Sequence, residues 1–197
     1  LGAEVVLTRS DVPEGHPEYY QDVARAIAAE TKDSFLADQF SNPNNPTAHR
    51  LSTGPEIWEQ TEGKITHFVV GVGTGGTISG VAKFLKEKNS DIKVWGIDTY
   101  GSAFKKYHET GIFDKNEVYP YITEGIGEDI IPENVDFDLI DKFEKVNDED
   151  AARYTRKLAK EEGIFAGNSC GAAIKCLIQL KKHFTKNDVV VVLLHDS

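Results

Sequence analysis

The chain has 197 residues, with 22 basic against 32 acidic side chains for a formal net charge of −10. That length holds a real core in one large domain or two small ones, and an acidic balance without a basic cluster argues against a nucleic-acid or anionic-membrane surface. No apolar run approaches the roughly 20 residues of a membrane helix, no signal peptide is recognisable, and Cys170 and Cys176 form no CxxC pair, so the expectation is a reduced cytoplasmic protein without a structural metal.

In chain order, Glu4 to Thr8 reads as a short strand and Ser10 to Pro17, with two prolines and a glycine, as loop. Tyr19 to Glu30 has helical periodicity, with Val23, Ile27 and the alanines as the buried stripe. Phe35 to Ala37 reads as a second brief strand. Residues 38–46, DQFSNPNNP, are expected to be irregular, because each proline pushes its predecessor out of the helical region. A domain boundary is expected there, with 1–49 the remnant of a small N-terminal domain plus a connection and 50–197 a large cofactor-binding domain. Asn45-Pro46-Thr47 is no glycosylation site, since proline follows the asparagine. Pro55 suits a first helical position leading Glu56 to Gln60.

A buried run, Phe68-Val69-Val70, then stops at Gly71-Val72-Gly73-Thr74-Gly75-Gly76-Thr77, and a helical pattern starts at Ile78. Lys93 to Asp98 is a strong strand, Tyr100 to Gly111 a helix and its stop, and Val118 to Ile122 extended or irregular. Glu124-Gly125-Ile126-Gly127-Glu128-Asp129 is a second glycine turn. Phe143 to Val146 is a strand, and Asn147 or Asp148 caps a helix that runs to Glu162 and stops at Gly163. Gly167-Asn168-Ser169-Cys170-Gly171 opens a helix over Ala172 to His183, and Val189 to Leu194 reads as a fully buried strand. Strands alternate with helices and lack polar alternation. The expected fold is therefore α/β, a mostly parallel sheet with helices on both faces, whose ligands bind beyond the carboxyl ends of the strands. Both glycine turns and Asp196 fall at such ends. The two tryptophans, Trp58 and Trp95, are expected in the core.

The glycine turn presents backbone N–H groups beside the positive end of a helix dipole, which suits a phosphate. Two readings compete. Gly71-x-Gly73-x-x-Gly76 matches a dinucleotide fingerprint, with Asp98 about twenty residues on as the ribose acid, which would make the protein an NAD(P)-dependent oxidoreductase. The other reading rests on the wider context. GVGTGGTISG, with SNPNNPTAHRLSTGPEIWEQ before it and EGIG and GNSCGAA after it, resembles the fold-type-II pyridoxal-phosphate enzymes along the whole chain. The likeness is to the branch that holds cystathionine β-synthases and cysteine synthases.

That resemblance implies a pyridoxal 5'-phosphate cofactor whose phosphate is held by Gly73, Thr74, Gly75, Gly76 and Thr77. It implies that Ser169 bonds the pyridine nitrogen, that Gly125 and Gly127 line the cofactor's other side, and that Gln39 lies near the substrate carboxylate. The activity implied is β-replacement on serine or an activated serine, by a homodimer acting on amino-acid and thiol substrates. EGIGED is similar to the EGIGYD of cystathionine β-synthases, with Glu128 in place of tyrosine, while LSTGPEIWEQ reads equally like cysteine synthase. The lysine that carries the cofactor as a Schiff base lies, in that family, in an N-terminal SxKDR-like motif not found here. With no methionine and a start at LGAEVV, the chain reads as an internal piece, inactive alone, with that lysine upstream of Leu1. Lys83, Lys86 and Lys88 are expected on a solvated helix face. His49 is expected in a structural hydrogen bond and Cys170, at a helix start, in packing.

Overall fold

The computed structural model describes residues 2–9, 12 and 14–195; the expectation placed on Asp196 lies outside them. The chain divides into two compact units, Leu1–Asp38 and Gln39–Ser197.

In the first unit the described residues form one helix, α1 (Tyr20–Glu30), and a single bridge from Arg9 to Tyr19. The strands expected at Glu4 to Thr8 and Phe35 to Ala37 do not form: Leu7 is 91% exposed and Phe35 84%. Apolar residues alone do not make a strand, since the backbone also needs a ladder partner. The stripe expected to be buried on α1 is likewise half-covered at Val23 and exposed at Ile27, and Gln21 is the buried residue of that helix.

The second unit is built on four strands, β1 (His67–Gly71), β2 (Lys93–Thr99), β3 (Lys142–Val146) and β4 (Val190–Val192). They are ordered β3-β2-β1-β4 and every pairing is parallel. The helices are α2 (Asn44–Leu51), α3 (Thr53–Gln60), α4 (Gly76–Lys88), α5 (Phe104–Thr110), α6 (Asp148–Glu162) and α7 (Asn168–Leu180). Alternate residues of β1 serve opposite faces. Phe68 and Val70 join Ile78, Val81 and Leu85 of α4 in one core, while Val69 joins Ala172, Ala173 and Cys176 of α7 in another. A strand covered on both faces reads as a continuous apolar run, which is why β1 was legible. Trp95 lies in the second core and Trp58 packs against the first.

Helix α2 corrects the expectation that 38–46 is irregular. It starts at Asn44, so Pro46 occupies its first turn, where a missing N–H and a fixed φ cost nothing. Pro55 is likewise in the first turn of α3, two residues later than expected. α4 begins at Gly76 rather than Ile78, and α7 begins at Asn168, so the GNSCGAA segment is itself the helix start. β4 is shorter than expected and only half-buried, as befits the outer strand of the order.

The order positions the site. The chain leaves β1 through α4 towards β2 and β3, then returns through α6 and α7, on the other face, to β4 beside β1. The carboxyl ends of β1 and β4 thus flank a topological switch point, where open α/β sheets bind ligands.

Two substitutions test this packing. Asn147 caps α6 by accepting from the Asp150 N–H at 2.8 Å, so Asn147→Ala should cost about 1 kcal/mol. Gly171 lies against α6, where a Cβ would press into the Ala151 carbonyl and the Thr155 backbone; Gly171→Ala should cost about 1–3 kcal/mol. Urea midpoints of the two variants measure both, and a neutral Gly171→Ala would contradict the close α6–α7 approach.

Candidate functional site

The turn after β1 ends in Gly75, which caps α4 in the left-handed conformation (φ 86°). That φ favours glycine, and a Cβ there would also stand 2.7 Å from the Val135 backbone nitrogen. Gly75 brings no side chain to cap the helix, so the first N–H groups of α4, which have no partner within the helix, point beyond it. Backbone donors and the positive dipole end together make an anion site.

Residues 39–53 brace this turn. The Asn45 amide donates to Thr74 Oγ1 at 3.2 Å and to the Gln39 carbonyl at 2.8 Å, and the Asn134 amide donates to the same carbonyl at 2.9 Å. A Cβ on Gly76 would collide with the Asn45 amide. His49 bridges two hydroxyls, Nε2 to Thr77 Oγ1 at 3.2 Å and Nδ1 to Thr53 Oγ1 at 2.9 Å. Burial lowers the His49 pKa and keeps the ring neutral at pH 7. The hydroxyls at both ends of the glycine turn are therefore held from outside it.

The turn opens into a cavity of about 360 Å³, lined by Gln39, Phe40, Gly71, residues 73–78, Gly125, Glu128 and His195. A second cavity of about 590 Å³ shares Gly125 and His195 and is otherwise lined by Glu124 and residues 166–169. Gly73, Thr74, Gly75, Gly76, Thr77, Gly125 and Gln39 thus border one space, and Ser169 borders the adjoining one. Ser169 is the second residue of α7, largely buried, with its hydroxyl 4.0 Å from where a Cβ on Gly125 would stand. Gly127 lines neither cavity. Its N–H donates to the Val72 carbonyl at 2.8 Å and so ties the second glycine turn to the first.

Sequence reasoning did not select Phe40, Asn45 or His195. Asn45 was hidden in a segment taken as a connection, and His195 is brought in only by the pairing of β4 with β1. Glu128 is the acid of the first cavity, and burial together with the neighbouring Asp129 charge raises its pKa to about 7. Burial, with a smaller contribution from the nearby His49 ring, lowers that of His195.

Asp98 answers the dinucleotide reading. It is 0% exposed, and its two oxygens accept from the Thr99 and Lys105 N–H groups at 2.8 and 3.0 Å. Burial pushes its pKa up, and it offers no face to a ribose. Cys170 is buried too, its thiol donating to the His195 carbonyl. Among the described residues no helix is long and apolar enough to cross a membrane.

Residues 1–196 match the family described as "Pyridoxal-phosphate dependent enzyme". The chain is 38% identical over all its 197 residues to the cystathionine beta-synthase of Apis mellifera, covering 38% of that protein. It is 35% identical over 205 aligned positions to that of Saccharomyces cerevisiae, with all of this chain and 40% of the relative covered. It is 39% identical over 179 residues to cysteine synthase 3 of Caenorhabditis elegans, covering 91% of this chain and 50% of the relative. The chain therefore spans half or less of the length of these relatives. With a phosphate-ready turn opening at the switch point and a family match along nearly its whole length, the chain belongs to the pyridoxal-phosphate-dependent enzymes.

Proposed function

We propose that these residues form most of the cofactor site of an enzyme that performs β-replacement on serine or an activated serine, as a cystathionine β-synthase. The observation that carries this reading is the uncapped α4 N-terminus behind Gly75, facing a cavity that also meets Gly125 and adjoins Ser169. Its likeness to cystathionine beta-synthases over the whole chain supports the substrate assignment. Cysteine synthesis from O-acetylserine and sulfide is the second reading, favoured by the likeness to cysteine synthase 3.

The residues fit pyridoxal phosphate. Gly73 to Thr77 would supply N–H groups and hydroxyls for the phosphate, and side chains at Gly75 and Gly76 would press into Val135 and Asn45 and displace the turn. Ser169 would donate its hydroxyl to the pyridine nitrogen and, being neutral, leave that nitrogen unprotonated. Gly125, without a Cβ, leaves the space between the two cavities open. Gln39, its carbonyl fixed by Asn45 and Asn134, would orient a substrate carboxylate. When bound, the cofactor supplies the electron sink for loss of the α-proton and of the β-substituent.

The lysine that attaches the cofactor belongs, in this reading, to sequence outside these 197 residues, and the piece alone is inactive. Lys83 and Lys88 are exposed on α4, Lys86 pairs with Asp141 at 2.9 Å, and no lysine is among the residues that line the two cavities. A cytoplasmic homodimer completes the reading.

Borohydride reduction of the full-length protein followed by peptide mapping tests it. A pyridoxyl-phosphate adduct on a lysine outside residues 1–197 is expected; an adduct on a lysine within them, or none, overturns it. Gly75→Ala should weaken cofactor binding at least about tenfold, measured by absorbance titration, because the strained turn can no longer present its N–H groups.

A further inference from the structure

Glu128 is the one acid among the residues that line the turn's cavity, and the surrounding chain fixes where it stands. Its N–H donates to Ser102 Oγ at 3.0 Å, its carbonyl accepts from the Ala103 N–H at 3.2 Å, and Gly127 before it is bonded to Val72. Its Oε1 lies 3.6 Å from the point a Cβ on Gly73 would occupy, so the carboxyl reaches across to the glycine turn. The other acids near the site are engaged differently: Asp98 is spent on two backbone N–H groups, Glu124 borders the second cavity, and Asp129 is exposed. The Glu128 side chain takes part in no ion pair or hydrogen bond among the described residues. A half-buried carboxyl without a cation is an electrostatic vacancy, and a ligand that carries a cation relieves it.

We propose that Glu128 selects the second substrate, its carboxylate pairing with the ammonium group of an incoming amino-acid thiol. The proposal rests on the β-replacement reading and deepens it, since it concerns which nucleophile that reaction accepts. An ammonium-bearing thiol gains a charge-assisted hydrogen bond to a carboxyl partly withdrawn from water, where such a bond is stronger than in bulk solvent. A thiol acid without the ammonium brings only negative charge to the same carboxyl, and hydrosulfide is repelled in the same way. Discrimination therefore comes from attraction of one class and repulsion of the other. The pairing also draws the carboxyl towards its ionised form, against the burial and the Asp129 charge that hold it up to about 7.

The test uses the full-length, cofactor-loaded protein and two probes, homocysteine and 4-sulfanylbutanoate, which is homocysteine without its ammonium group. The ratio of their kcat/KM values is measured for the native protein, Glu128→Gln and Glu128→Asp, alongside equilibrium binding of both probes by calorimetry. Glu128→Gln, similar in size but uncharged, should lower the ratio about tenfold or more, the worth of one hydrogen bond to a charged group. Glu128→Asp should recover part of it, a rescue that a merely structural role would not give. Calorimetry should show the same loss for homocysteine and little for 4-sulfanylbutanoate. Equal changes for both probes, or none, in cofactor-loaded variants overturn the assignment of Glu128 alone. A native full-length protein that takes up no cofactor overturns the β-replacement reading, and this proposal with it.

Discussion

The structure depends on one left-handed residue. Gly75 turns the chain out of β1 and into α4 within a single step, and a residue with a Cβ would meet Val135. This leaves the helix start without a side-chain cap and aims its N–H groups at open space rather than at protein. Such a terminus is costly unless something satisfies it, so the turn is stable as a site and less so as mere connection. Much of the surrounding chain serves it: Asn45 and His49 hold the hydroxyls of Thr74 and Thr77, and Gly127 ties the second glycine turn to Val72.

The sheet order then decides what else reaches that turn. β1 is covered on both faces, by α4 with α3 on one and by α7 on the other, so only its carboxyl end is open. The return of the chain to β4 brings His195 to that end, and the start of α7 lies nearby with Ser169. Residues from three segments far apart in sequence, 71–78, 124–128 and 166–169, therefore border two adjoining cavities. Much of the lining is glycine, threonine and backbone, which can approach a flat, charged ligand closely without competing charges. Two titratable members, Glu128 and His195, have pKa values moved by burial, as groups beside a desolvated site do.

Legibility followed range. The glycine turn could be read because its signal is local: an apolar run, glycines, then a helical pattern within a dozen or so residues. The cap of α6 at Asn147 and its stop at Gly163 were legible for the same reason. α2 was not, because the rule that a proline excludes its predecessor from helix fails in a first turn, and only docking against α4 shows that the helix exists. The strands expected in 1–38 failed in the opposite sense: their composition fits, but the described residues there form no strand, and Leu7 and Phe35 stand exposed. Asp98 shows the limit of spacing. Its distance from the glycines suits a ribose, yet its two oxygens already serve backbone N–H groups.

By itself the sequence determined that an apolar, alternating α/β chain carries an anion-binding turn, and its motifs in order pointed to pyridoxal phosphate rather than a dinucleotide. Those properties are set by neighbours within a few residues, where backbone sterics and periodicity act. Tertiary structure alone decided that Gly127 ties the two glycine turns together, that Asp98 is closed off, that Asn45 and His49 orient the threonines, and that Glu128 stands uncompensated beside Gly73. Each of these depends on burial and on contacts between residues distant in the chain, and desolvation, which decides what a polar group can do, has no local signature in sequence.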